Sequence, residues 1–247
     1  MEIKGILFDI NGTLTDIKTD EGNDEIYRAI AHVLTYQGIA LHRGEVKDLY
    51  FRIMQRQREE CGEKCPEFNA VAIFREILDS NSSDFTAGLP EAKLEYLPLF
   101  LAELYRGVSR ERLRLYPGVK EVLEEIRHRY ILGIVTDAQS AYAIPELQAV
   151  GIVEYFDTIV VSGDFGYRKP DPRLYRTALE NLNLEPEHAV FVGNDIYHDI
   201  YGAQQVGMKA ILFMTEYGDK KKEGVDADYV ISHFSELPKA IRFLENH

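Results

Sequence analysis

Tryptophan is absent from the 247 residues, and cysteine occurs only twice, as Cys61 and Cys65. Two thiols make no disulfide framework, and their C-x3-C spacing without a second pair is no zinc signature, so both are read as free thiols. Basic side chains are in deficit, 28 Lys+Arg against 41 Asp+Glu, for a formal net charge of −13. Neutralising a phosphate backbone takes a basic face, so this balance argues against a nucleic-acid partner. An anionic small substrate must be met by locally placed cations or a metal, because the whole-protein field opposes it. No run approaches the ~18 uninterrupted apolar residues of a membrane span. The first apolar run stops at Asp9, too short for the apolar region of an export signal. No G-x-G-x-x-G follows an apolar run, and neither a P-loop nor H-E-x-x-H occurs, so nucleotide-cofactor and zincin chemistry have no support. The expectation is a cytoplasmic protein without a membrane partner.

What is present is 45% apolar residues in a pattern that changes along the chain. Ile3 to Phe8 is nearly all apolar, which suits a strand buried on both faces of a parallel sheet, and it ends at the turn-type segment Asp9-Ile10-Asn11-Gly12-Thr13. Asp16 to Asp24 is polar without periodicity and reads as a loop or hinge. Helical spacing follows in four sets, beginning at Ile26, Val46, Ala70 and Leu94, with Pro98 expected to kink or break the fourth. From Pro117-Gly118 onward, helices alternate with the apolar runs Ile131 to Val135, Phe156 to Val161, Ala189 to Val192 and Ala210 to Phe213. A shorter run, Asp228 to Ile231, precedes a last helix. Such alternation predicts an α/β fold, a parallel sheet core with helices on both faces. The helical stretch is then a bundle inserted after the first strand, placed like a lid. The expected division is a core of residues 1–16 and 112–247 and a cap of residues 17–111.

In an open parallel sheet, ligands gather beyond the carboxyl ends of the strands. The polar residues that end the apolar runs are Asp9, Asn11 and Thr13, then Thr136 and Asp137, then Asn194, Asp195 and Asp199, with Lys169 in the loop after the third run. A carboxylate, a hydroxyl, an amine and a second acidic cluster on one edge suit magnesium-assisted phosphoryl transfer.

These residues also form four ordered motifs that resemble those of the haloacid dehalogenase-like hydrolases. Phe8-Asp9-Ile10-Asn11-Gly12-Thr13-Leu14 is similar to the first, Ile134-Val135-Thr136-Asp137 to the second and Arg168-Lys169-Pro170-Asp171-Pro172 to the third. Val192-Gly193-Asn194-Asp195, with Asp199 and Gly202-Ala203, is similar to the fourth. The resemblance implies a Rossmann-like core with an α-helical cap between motifs one and two. Only 33 positions separate Thr136 from Lys169, too few for the larger cap that other members insert there. It implies that Asp9 is a nucleophile forming an aspartyl-phosphate, that Thr136 and the backbone at Asp137 contact the phosphoryl group, and that Lys169 neutralises developing charge. Mg2+ would be held by Asp9, the Asn11 carbonyl and residues among Asn194, Asp195 and Asp199. The substrate would be a small phosphorylated metabolite.

Two positions depart from the pattern. Where members usually carry a second aspartate, two residues after the nucleophile, this chain has Asn11, whose amide cannot trade a proton near neutral pH. Asn194 stands where an acidic metal ligand is common. The expected activity is therefore a slow, Mg2+-dependent phosphatase that favours good leaving groups. A phosphate-binding protein with negligible turnover and a metal-free 2-haloacid dehalogenase are the alternatives. Simpler roles compete at several positions. Asp195 and Asp199 could start and cap a helix, and His198 reads as a helix-surface residue. Arg52, Arg56 and Arg58, like Arg106, Arg110, Arg112 and Arg114, read as solvated faces. Neither substrate identity nor oligomeric state has a readable code here.

Overall fold

The computed structural model describes residues 2–247. Its first part comprises β1 (Gly5–Phe8), β2 (Thr15–Thr19), α1 (Asp24–Tyr36), α2 (Arg43–Glu60), α3 (Ala70–Ser80), α4 (Asp84–Ala87) and α5 (Glu91–Ser109). Next come β3 (Arg110–Leu115), α6 (Val119–Ile126), β4 (Ile131–Thr136), α7 (Ser140–Ala149), β5 (Thr158–Val161) and α8 (Pro172–Asn181). The chain ends with β6 (Ala189–Gly193), a wide helical turn at Ile196–Tyr201 leading into α9 (Gly202–Gln204), β7 (Lys209–Phe213), β8 (Tyr229–Ile231) and α10 (Leu237–Glu245).

Six of the strands form one parallel sheet in the order β5-β4-β1-β6-β7-β8. Side chains alternate across it. Ile6, Phe8, Ile134 and Val192 face one apolar layer with α6, α7 and α10, and Leu7, Val135 and Phe191 face the other with α8 and α9. Both faces are covered, which is why β1 and β6 read as unbroken apolar runs. The α/β reading of the sequence and the inserted helical cap both hold.

The cap has its own core, in which Tyr27, Tyr50, Phe74 and Tyr105 cluster and the Tyr50 and Tyr105 rings stack with centroids 4.5 Å apart. Each such aromatic pair adds about 0.5–1.5 kcal/mol beyond its buried area. The four expected helices are joined by a fifth, the single turn α4. Ser83 caps it, and Thr86 Oγ1 ties it to the Gln37 carbonyl at 2.8 Å. Pro98 does not break α5, which runs from Glu91 to Ser109. The proline costs one backbone donor and local strain of about 3 kcal/mol. Burial of Leu97, Leu101, Ala102 and Tyr105 around it outweighs that cost.

The hinge differs from the expected loop. Residues 15–19 are β2, paired antiparallel with β3, so that Thr15 faces Leu115 and Asp16 faces Arg114. The polar composition hid this strand, because charge pairs rather than apolar alternation hold it. Buried Asp16 accepts from Arg112 Nη2 at 2.7 Å and from Arg114 Nε at 2.8 Å. Burial pushes its pKa up, but the two guanidiniums outweigh burial and hold the carboxyl below its usual range. The expected domain cuts at 16/17 and 111/112 fall inside β2 and β3. The solvated-face reading is also corrected for Arg112 and for Arg106, whose Nε donates to buried Glu146 of α7 at 2.7 Å. Among the described residues no helix is long and apolar enough to cross a membrane, and both cysteines are free.

Candidate active site

Strand register sets the site. Phe8 is level with Ile134 and Val192, so the residues just past the ends of β1, β4 and β6 emerge side by side. The Asp9 N–H continues that pairing by donating to the Val192 carbonyl at 3.0 Å. Beyond it the chain turns sharply, with the amides of Thr13, Leu14 and Thr15 all directed at the Ile10 carbonyl. Gly12 permits this turn with φ of 89°, and a Cβ there would sit 2.6 Å from the Asn194 amide nitrogen, so only glycine lets the two loops meet. Gly193 plays a similar part, since its Cβ would lie 2.3 Å from that of Asp199.

At the centre is Asp9, 5% exposed. Its Oδ1 accepts from Lys169 Nζ at 2.7 Å and from Thr136 Oγ1 at 3.3 Å. Its Oδ2 accepts from Thr13 Oγ1 at 3.3 Å. Lys169 also donates to Asp199 Oδ1 at 2.6 Å, so one amine spans two carboxylates in a buried pocket. Burial alone would lower the Lys169 pKa, but Asp199, Asp9 and Asp137 outweigh it and keep the amine protonated. Asp137 holds the loop that carries this lysine, its Oδ1 accepting from the Lys169 N–H at 2.8 Å and its Oδ2 from Arg168 Nε at 3.3 Å.

The residues after β6 divide their work. Asp199 Oδ2 accepts from the backbone N–H groups of Asn194 and Asp195, both at 2.9 Å, and so clamps that turn against Lys169. Asp195 caps the following helical turn, accepting from the Tyr197 and His198 amides with one oxygen and the Asp219 amide with the other. Burial raises the Asp195 pKa, yet these N–H donors and His198 pull it below the usual carboxylate range. Both carboxylates are thus engaged by backbone donors, and Asp199 meets Asp9 across Lys169 Nζ. Asn194 converges on Asp9, because its Oδ1 accepts at 3.0 Å from the same Thr13 hydroxyl that reaches Asp9 Oδ2. Oxygen donors from Asp9 and Asn194, joined by the Asn11 carbonyl that the family resemblance implies, would make an all-oxygen set suited to a hard cation that keeps several waters. It carries a single carboxylate, and among the described residues no group of three or more His, Cys, Asp or Glu is placed to hold a metal. The donor types fit Mg2+, with less charge than a carboxylate-rich site.

Burial pushes the Asp9 pKa up to about 6, with Lys169 opposing and the carboxylates of Asp199 and Asp137 adding to it. A nucleophilic role requires the ionised form, so turnover is expected to fall as the pH drops below about 6. A cation at Asp9 would move that acid limb lower, and pH–rate profiles with varied Mg2+ would measure the shift. The stability linkage runs the other way. A folded pKa above the unfolded 3.8 makes the Asp9 contribution complete below that value and lost as the pH rises through about 6.

A cavity of about 170 Å³ opens above Asp9, Asn11, Lys169 and Asn194. It shares Asn11, Asp137 and Arg168 with a second cavity of about 280 Å³ between cap and core, lined further by Arg58, Glu67, Arg106, Gln139 and Tyr142. The sequence reading missed this second chamber. Glu67 and Gln139 sit in segments without periodicity, and only tertiary packing brings them to the site. Gln139 stitches cap to core, donating to the Phe68 carbonyl at 2.7 Å and accepting from the Ala70 amide at 2.8 Å.

The arrangement, a carboxylate–lysine centre at the end of β1 beneath an inserted helical cap, matches one family. The profile of the haloacid dehalogenase-like hydrolases covers residues 6–213, and the chain belongs to that family. Glyceraldehyde 3-phosphate phosphatase from Pyrococcus furiosus is 33% identical over 160 residues, 62% of this chain and 65% of that protein. Its counterpart from Pyrococcus abyssi is 35% identical over 115 residues, 46% of this chain and 48% of its own length. The chain thus aligns with about half to two thirds of these relatives. A 2-haloacid dehalogenase crystal structure from Pseudomonas syringae pv. Tomato superposes with a TM-score of 0.69 at 22% identity, covering 98% of this chain and 99% of that one. At that identity the likeness speaks for the fold.

Proposed function

We propose that the protein is a Mg2+-dependent phosphatase acting on a small phosphomonoester through an aspartyl-phosphate on Asp9. The observation that carries this reading is the buried Asp9 carboxylate, held through Oδ1 by Lys169 and Thr136 while Oδ2 keeps a single long bond at the floor of a polar cavity. Relatives that are phosphatases of a small phosphorylated metabolite support the same reading.

In the first half-reaction Asp9 Oδ2 attacks phosphorus and the ester oxygen leaves toward the cap cavity. Lys169 Nζ, fixed by Asp199, neutralises charge that grows on the nucleophile and the phosphoryl oxygens. The Thr136 hydroxyl turns from Asp9 to donate to a phosphoryl oxygen. Asp9, the Asn11 carbonyl and Asn194 would hold Mg2+, which supplies positive charge between two anionic reactants. In the second half-reaction water attacks phosphorus and frees Asp9.

Asn11 is the weak point of the cycle. Its side chain accepts from Thr15 Oγ1 at 3.2 Å and offers no titrating group. Asn11→Asp places an acid–base group beside the nucleophile, and general acid–base catalysis contributes ~10²–10⁴ in rate. The expected result is a rise of about 10²-fold in kcat for alkyl phosphomonoesters, the lower end of that range. A hydrolysis panel with and without Mg2+, run on the wild-type chain and Asn11→Asp, tests the whole reading. No hydrolysis of any phosphomonoester would defeat it and favour a phosphate-binding role, while halide release from a 2-haloacid without metal would favour dehalogenase chemistry.

A further inference from the structure

The cap contributes one carboxyl group that the steps above leave unused. Glu67 lies between α2 and α3, 6% exposed, in the wall of the chamber that also contains Asn11, Asp137 and Arg168. It is anchored rather than loose. Its backbone N–H donates to the Gly166 carbonyl at 2.9 Å, and the Arg168 N–H returns a bond to the Cys65 carbonyl at 2.9 Å, so Pro66 and Tyr167 pair as a short antiparallel bridge. Its side chain reaches the second motif through one hydroxyl. Oε2 accepts from Ser162 Oγ at 2.9 Å, and that oxygen accepts from the Ala138 N–H at 3.1 Å. A cap residue is thereby held two hydrogen bonds from the loop of Thr136 and Asp137, in the wall of the cavity that adjoins the pocket above Asp9.

We propose that Glu67 is the proton-transferring residue of this enzyme, performing from the cap the duty that Asn11 cannot. The inference rests on the phosphatase reading. As Asp9 bonds to phosphorus and the P–O ester bond breaks, the Glu67 carboxyl gives its proton to the leaving oxygen, releasing an alcohol and leaving Glu67 ionised. Water then attacks the aspartyl-phosphate, Glu67 takes its proton, and Asp9 and inorganic phosphate separate. The proton lent in the first half is recovered in the second.

The surroundings suit a group that must change charge. Burial raises the Glu67 pKa, with the Phe68 N–H, Ser162 and Arg168 lowering it and Asp137 raising it again. Arg58 of α2 faces it at 3.8 Å, too far for a hydrogen bond, and stacks instead over the Phe68 ring. Among the described residues no cation lies within hydrogen-bonding distance of Glu67, whereas Asp16 and Glu146 each have a guanidinium within 3 Å.

Glu67→Gln tests the assignment while keeping the acceptor oxygen for Ser162. With an alkyl phosphomonoester, first-turnover alcohol release is expected to slow about 10²-fold. With 4-nitrophenyl phosphate, whose leaving group needs no proton, the first turnover is expected to stay within about threefold and then stall, with phosphorylated protein accumulating by mass spectrometry. Asn11→Asp in the Glu67→Gln background is expected to restore steady turnover of both esters, a rescue that a merely structural role would not give. Equal slowing of both first turnovers, or no slowing and no trapped phosphoprotein, would overturn the role of Glu67 while leaving the phosphatase reading intact. Absence of wild-type hydrolysis would overturn both.

Discussion

Asp9→Asn is expected to lower phosphomonoester turnover by at least ~10⁴-fold without unfolding the protein. The substitution is nearly isosteric, and an amide oxygen can still accept from Lys169 and Thr136, which now bind Asp9 Oδ1. It removes the negative charge that forms the bond to phosphorus, so neither half-reaction proceeds. Stability should not fall. Burial disfavours the ionised Asp9 at neutral pH, and Lys169 keeps its bond to Asp199 at 2.6 Å. Steady-state hydrolysis, intact-mass analysis after mixing with substrate and a thermal melt together check this outcome. Residual turnover within tenfold of wild type would remove Asp9 from the nucleophile role.

The second large effect is expected from Lys169→Met, and here both activity and stability should drop. The side chain is 3% exposed and is the shared counter-charge of Asp9 and Asp199. Without it, two buried carboxylates share one pocket, a situation that typically costs 3–5 kcal/mol when one partner of a buried pair is removed. Turnover should fall by ~10³-fold or more, because nothing then offsets charge on the phosphoryl group. The pH dependence gives a sharper check. With the amine gone the Asp9 pKa rises further, so the loss of stability is greatest at neutral pH and shrinks as acid protonates the pair. Denaturant midpoints measured at pH 5 and pH 8 should therefore converge on wild type at the lower pH. A uniform deficit would point to lost packing against Phe191, over whose ring the amine sits at 5.7 Å.

The core was legible because its strands are buried on both faces and therefore write themselves as apolar runs, and because the polar residues that end those runs become neighbours once the sheet is parallel. Asp9, Thr136 and Lys169 meet as that logic requires. Asp195 and Asp199 were harder, since a carboxylate in such a cluster can bind backbone amides as readily as a metal. Both accept backbone N–H bonds, and Asp195 caps the following turn as the simpler of the two sequence readings expects. β2 and β3 escaped notice because their pairing depends on Asp16 meeting Arg112 and Arg114 across about 96 residues of intervening cap. Glu67 left no trace in any period, and its position follows from the docking of a cap turn on Tyr167.

That ribbon has a mechanical consequence. Both covalent crossings between the two bodies run through one two-stranded stalk, so the lid is mounted like a hatch on a single arm rather than slung between separate posts. The arm reaches the far side of the site as well. Arg112 Nη2 donates to the Tyr217 hydroxyl at 3.0 Å, and the Tyr217 carbonyl accepts from the Asn194 amide at 3.0 Å. Bending of the stalk would therefore be passed to Asn194, one of the residues proposed to hold Mg2+.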